Sequence, residues 1–149
     1  MTHSYQQTIK KEVSLTGVGL HTGQNVTVTF LPAPANHGIK FQRVDMPEKP
    51  VIPADCELVT TVQRGTTLEK NGAIIATVEH LMSALIGLQI DNVLVQTDGI
   101  EIPIMDGSAR PFVEAIEKLA GRIYEQYREI YSNLSFTNYY RYDLDIYFC

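Results

Sequence analysis

The sequence predicts an α+β fold, a mixed sheet covered on one face by two helices, and three features carry that expectation. Val26, Val28 and Phe30 alternate with Thr27 and Thr29, the period-two pattern of a half-buried strand. Val78, Leu81, Met82, Leu85 and Leu88 recur at helical spacing, and so do Phe112, Val113, Ile116 and Leu119. Between these stretches strands and helices do not follow one another in regular βα units, which implies an α+β layer.

Taken in order, Leu15 to Gly23 reads as a glycine-punctuated loop in which glycine supplies backbone freedom for a tight turn. Gln24 to Leu31 is the alternating strand, and a similar strand is expected near Ile39 to Val44. Within Thr66 to Thr77, Asn71-Gly72 sits between two short extended runs, the strongest local signal for a two-residue hairpin turn. Thr77 is placed to be the N-cap of the first helix. Asp91 to Thr97 returns to strand and Glu101 to Met105 is a short extended piece. Asp106-Gly107-Ser108 then turns into the second helix, with Gly121 just past its end.

Composition bounds the function. The chain has 149 residues, 44% hydrophobic and 19% charged, enough for one domain with a real core. A net charge of -5, with twelve scattered Lys and Arg, argues against a nucleic-acid partner. Cys56 and Cys149 have no neighbouring cysteine, so neither a disulfide framework nor a thiolate metal site is indicated. With neither an apolar leader nor a run of ~20 apolar residues, the expected location is the cytoplasm and no membrane span is expected. Seven of the eight tyrosines lie after Gly121, so residues 1–121 are expected to form the domain and 122–149 an aromatic-rich tail packing poorly on it.

Three segments exceed generic patterning. Ala76-Thr77-Val78-Glu79-His80-Leu81 puts a carboxylate beside an imidazole at the opening of an apolar helix, the two groups a metal-activated water needs. Alone the pair is a weak signal, because position 84 is Ala and the two-histidine zinc-protease spacing is missing. The glycine loop carries His21, but no Lys follows and no helix opens behind it, so it is a poor phosphate cradle. Glu101-Ile102-Pro103-Ile104-Met105-Asp106-Gly107-Ser108 is in itself a turn and a helix cap. His3 lies near the terminus, and His37 lies in a Pro-Ala-Asn-His-Gly loop that suits a turn better than a ligand.

In this order, and together with Gly87-Leu88-Gln89-Ile90-Asp91-Asn92, these segments resemble the zinc-dependent UDP-3-O-acyl-N-acetylglucosamine deacetylases of lipid A biosynthesis. The resemblance covers about Gln7 to Gly121 and is strongest to forms fused to a 3-hydroxyacyl carrier-protein dehydratase. It implies the first of two similar α+β domains that enclose the metal. By this resemblance His80 is a zinc ligand, Glu79 the catalytic general base, and His21 a substrate-side residue near the active site. The substrate implied is UDP-3-O-acyl-N-acetylglucosamine, and the remaining ligands would come from a second domain with no matching motif after Gly121. The chain is therefore expected to be an incomplete half, natural or frameshifted, inactive alone. The rival expectation is a non-catalytic structural or binding module that keeps the fold, and a more distant one is an unrelated small α+β binding protein.

Overall fold

Alternating and β-branched segments give the described residues more strand than helix. The computed structural model describes residues 5–120 and 122–127. Its elements are β1 (Tyr5–Ile9), β2 (Val13–Val18), β3 (Asn25–Pro32), β4 (Ile39–Arg43), β5 (Val51–Pro53), a 3-10 turn at Cys56–Leu58, β6 (Val59–Thr61), β7 (Thr67–Lys70) and β8 (Ala73–Ala76). Then come α1 (Glu79–Gly87), β9 (Val93–Thr97), α2 (Arg110–Ala115) with a π-helical turn at Ile116–Ala120, and β10 (Arg122–Tyr127).

These form an α+β arrangement with three sheets. The largest has the order β2-β3-β9-β4-β5 and is mixed, because β4 runs parallel to β9 while every other neighbouring pair is antiparallel. An antiparallel meander, β6-β7-β8, forms the second, and β1 pairs antiparallel with β10 to form the third. The alternation in β3 buries Val26, Val28 and Phe30. Phe30 meets Phe112 of α2 edge to face, with ring centroids 6.3 Å apart. One apolar cluster unites the layers, joining Phe41 of β4, Ile75 of β8, Leu81 and Leu85 of α1, and Ile116 beyond α2. Arg43, at the end of β4, donates to the Ile74 carbonyl at 2.6 Å and to both oxygens of Asp45, which fastens the large sheet to the meander. The Arg43 side chain bonded to Asp45 holds that carboxyl below the usual carboxylate range. Among the described residues no helix is long and apolar enough to cross a membrane.

The hairpin at Asn71-Gly72 forms as expected: both residues have positive φ, 52° and 79°, and Lys70 pairs with Ala73. Elsewhere local pattern was outvoted. Leu15 to Val18, expected as loop, belongs to β2, because Leu15 and Gly17 pair with Val28 and Val26 of the strand beside it. The extended piece at Glu101 to Met105 makes only an isolated bridge, at Glu101. β1 was not foreseen, and pairing with a strand more than a hundred residues away leaves no local signature. Of residues 122–149, Arg122–Tyr127 form β10 and the rest lie outside the described residues.

Candidate functional site

The site is built where β8 gives way to α1. Ala76 is fastened on both sides of Glu101: its amide donates to the Ile100 carbonyl at 2.8 Å, and the Ile102 amide donates to its carbonyl at 2.9 Å. The next residue, Thr77, has φ 59°, a left-handed conformation that costs a β-branched residue ~1–3 kcal/mol and persists only where its surroundings enforce it. Val78 then takes the helical cap position and Glu79 opens the helix. Thr77 is therefore not the N-cap the sequence suggested, and α1 has no side-chain cap at all. Its hydroxyl is engaged elsewhere, donating to Glu101 Oε1 at 3.0 Å.

Glu101 is only 1% exposed. Beyond Thr77, its carboxylate accepts the His21 amide at 3.1 and 3.2 Å on its two oxygens and the Thr22 amide at 2.9 Å on Oε2. Burial alone would push its pKa up, but the backbone donors of Thr22 and His21 and the hydroxyls of Thr22 and Thr77 outweigh it and hold the carboxyl below the ordinary glutamate value. The loop that supplies these donors closes by the Gly23 amide on the Gly19 carbonyl at 2.9 Å. Position 19 has no room for a side chain, since a Cβ there would stand 2.5 Å from Glu101 Oε2.

Residues Arg64 to Thr66 join the two expected site segments. The His21 ring Nε2 lies 2.8 Å from the Arg64 carbonyl, and the Thr66 amide donates to Glu79 Oε2 at 3.0 Å. Gly65 lies between them, and a Cβ on it would be 3.3 Å from Thr77 Oγ1 and 3.5 Å from Glu79 Oε1. His21, Gln63, Arg64, Gly65, Thr67, Ala76 and Thr77 line an open pocket of about 130 Å³ against this loop. His80, the second residue of α1, is half-buried, and its Nδ1 is buried with no hydrogen-bond partner among the described residues.

The structure thus gathers His21, Glu79 and Thr77 around one loop, with His80 adjacent to Glu79 in the chain. His37 is placed apart, in a turn between Asn36 and Gly38, both at positive φ; burial, and then Lys40, lower its pKa. His3 lies outside the described residues. The sequence reading missed Glu101 and the Gln63 to Thr66 loop. The one sequence signal for Glu101 was its place in the Glu101 to Ser108 segment; alternation with Ile100 and Ile102 would put the carboxylate on the polar face, whereas Ile100 is 37% exposed and Glu101 only 1%. No such signal marks the loop.

The donor set fits one corner of a metal site. An unpartnered buried ring nitrogen on His80 beside a carboxylate suits metal ligation, and a polar atom left in that state calls for a partner. Among the described residues, however, no three His, Cys, Asp or Glu side chains converge to hold an ion, and a tetrahedral site needs three or four ligands.

Comparison with known proteins defines the lineage. The family described as UDP-3-O-acyl N-acetylglycosamine deacetylase matches residues 6–140, past Gly121. The protein named bifunctional enzyme LpxC/FabZ of Bacteroides thetaiotaomicron is 54% identical over 114 residues, 76% of this chain and 25% of that protein. Proteins named UDP-3-O-acyl-N-acetylglucosamine deacetylase from Xanthomonas campestris and Xanthomonas oryzae are 56% and 55% identical over 108 residues, 72% of this chain and 36% of theirs. The chain therefore spans between 25% and 36% of the length of these relatives. With more than half of the aligned residues identical and the family match running over 6–140, this chain belongs to the UDP-3-O-acyl N-acetylglycosamine deacetylase family.

Proposed function

We propose that this domain supplies part of the active site for hydrolysis of the N-acetyl group of UDP-3-O-acyl-N-acetylglucosamine, giving an amine and acetate in lipid A biosynthesis. The observation that carries the reading is the Glu79-His80 pair at the start of α1, with His80 Nδ1 buried and unpartnered, in a chain of this family. His80 is proposed as one ligand of a zinc ion and Glu79 as the general base. Zinc, when bound, lowers the pKa of its water to ~7 and polarises the amide oxygen. Glu79 Oε2 is held by the Thr66 amide, which leaves Oε1 to take the water proton. A positioned base of this kind contributes ~100- to 10,000-fold in rate. His21 is proposed to border the substrate, its ring fixed by the Arg64 carbonyl at the pocket wall.

One imidazole cannot hold zinc in a usable geometry, so the remaining ligands are assigned to a second domain that these residues would meet. A dehydratase fused in the full-length form is part of the same proposal, supported by the relative named bifunctional enzyme LpxC/FabZ. The same reading takes α1 and α2 as the helices covering one face of the large sheet, supported by their shared core and the Phe30–Phe112 contact, and sets the protein in the cytoplasm.

The test is made in a full-length family member carrying this domain. His80→Ala is expected to lose metal and turnover together, while Glu79→Ala keeps its metal and loses ~100-fold or more in kcat. Unchanged turnover in the Glu79→Ala enzyme removes the proposed base, and stoichiometric metal in the His80→Ala enzyme removes the proposed ligand.

A further inference from the structure

The strongest unassigned feature is Glu101, a buried carboxylate that the proposed chemistry does not use. It lies at the meeting of three segments: its own strand-like bridge to Ala76, the glycine loop bearing His21, and the left-handed turn at Thr77 that precedes Glu79 and His80. Each of its described partners donates, and none is a cation, so the charge is satisfied entirely by amides and hydroxyls. An apolar residue would fill the same 1% exposed space but leave the His21 and Thr22 amides and the Thr77 hydroxyl without their acceptor, so the carboxylate is what joins the three segments.

We propose that Glu101 is a positioning residue for the active site, its carboxylate holding Thr77 in the left-handed turn that sets the direction of α1, and hence of Glu79 and His80, while closing the His21 loop onto the same anchor. The inference rests on the reading of Glu79 and His80 given above. Ala76 is fixed to the Glu101 segment by two backbone bonds, so Thr77 is the first residue at which the chain can change direction, and its hydroxyl bond to Glu101 Oε1 selects the unusual direction taken. One group therefore sets the relative placement of His21 on one side and Glu79 on the other.

Glutamine at 101 keeps the shape but presents an amide NH₂ where an acceptor is needed, so it cannot serve all the donors that meet there. Thr77→Val deletes the hydroxyl and leaves the glycine loop on Glu101, while Thr77→Ser restores it. The experiment measures amide shifts and hydrogen exchange by NMR on the whole chain. Glu101→Gln is expected to speed exchange of the Thr22 amide about tenfold or more, the loss of one charge-assisted bond, and to shift the Glu79 and His80 amides. Thr77→Val is expected to shift Glu79 and His80 while leaving Thr22 in place, and Thr77→Ser to return them to their original positions. If Glu79 and His80 do not move in Thr77→Val, or move equally in Thr77→Ser, Glu101 does not position them and the proposal falls.

A kinetic arm separates this from the chemical reading. In a full-length family member, Thr77→Val is expected to lower kcat by ~10- to 100-fold with KM little changed, as misplacement of a reacting group does, and Thr77→Ser to restore it. Equal loss in both overturns the positioning role even if Glu79 proves to be the base. Conversely, shifts that follow the hydroxyl while Glu79→Ala leaves turnover intact uphold the positioning and overturn the assignment of the base.

Discussion

Replacing Gly19 by alanine adds a single methyl group, and the structure fixes where it must go. A Cβ at this position meets the Thr22 hydroxyl and stands 2.5 Å from Glu101 Oε2 and 3.1 Å from its Cδ. Turning the Thr22 hydroxyl aside gives up its bond to Glu101, and the carboxylate is buried and held by amides of His21 and Thr22 and the Thr77 hydroxyl, so either group yields only by breaking bonds. The Thr22 amide bond on Oε2 is the first lost, and a hydrogen bond to a charged group is worth ~1.5–3 kcal/mol. Overpacking adds ~1–3 kcal/mol, and the reduced freedom of the unfolded chain returns ~0.4–1 kcal/mol. A net loss of about 1.5–5.5 kcal/mol is expected, or roughly 6–22 °C in Tm for a domain of this size. Gly23→Ala is the control: nothing lies within 4 Å of its Cβ position, so only its φ of 67° is penalised, at ~1–2 kcal/mol. Urea unfolding followed by circular dichroism gives both values, with unchanged m confirming that stability and not the unfolded state has moved. A Gly19→Ala chain no less stable than Gly23→Ala would refute the reasoning, because the Glu101 carboxylate would then have to be free to move.

Other perturbations separate other parts of the structure. Gly87→Ala, at the end of α1 with open space around the new Cβ, is expected to raise stability by ~0.5–1 kcal/mol, read from the same urea curves. The folded-state pKa of Glu101 is depressed, so its contribution is present above the ordinary glutamate pKa of ~4.3 and is lost as pH falls through the lower folded value. The stability gap between wild type and Glu101→Gln should therefore narrow in acid, and a gap constant down to the lowest pH at which the chain folds would show that charge is irrelevant there. The His37 pKa is depressed too, so the unfolded chain takes up its proton first and acid destabilises the fold below pH ~6.5. His37→Gln should flatten that slope, and NMR titration should place His37 below an ordinary histidine. Phe112→Ala, which empties the ring contact with Phe30, should cost ~3–5 kcal/mol by denaturant unfolding.

What the sequence determined by itself was whatever a short window of chain imposes. The alternation of Val26, Val28 and Phe30 made β3, Asn71-Gly72 made its hairpin because both residues tolerate positive φ, and the stripe from Leu81 to Leu85 made the buried side of α1. The segments holding His21, Glu79 and His80 could be picked out too, because their order along the chain carries the family resemblance. Tertiary structure decided what depends on partners distant in sequence. The pairing of β1 with β10, and the parallel run of β4 beside β9, are hydrogen-bond choices that no local pattern encodes. The same holds for Thr77, whose composition says N-cap while its neighbours make it a left-handed turn. Its conformation is set by Glu101, twenty-four positions away, whose buried charge had to be met by donors from the glycine loop and from Thr77 itself. A local preference worth about a kilocalorie yields when a buried carboxylate would otherwise go unsatisfied, and that imbalance is why this corner of the site became legible only in three dimensions.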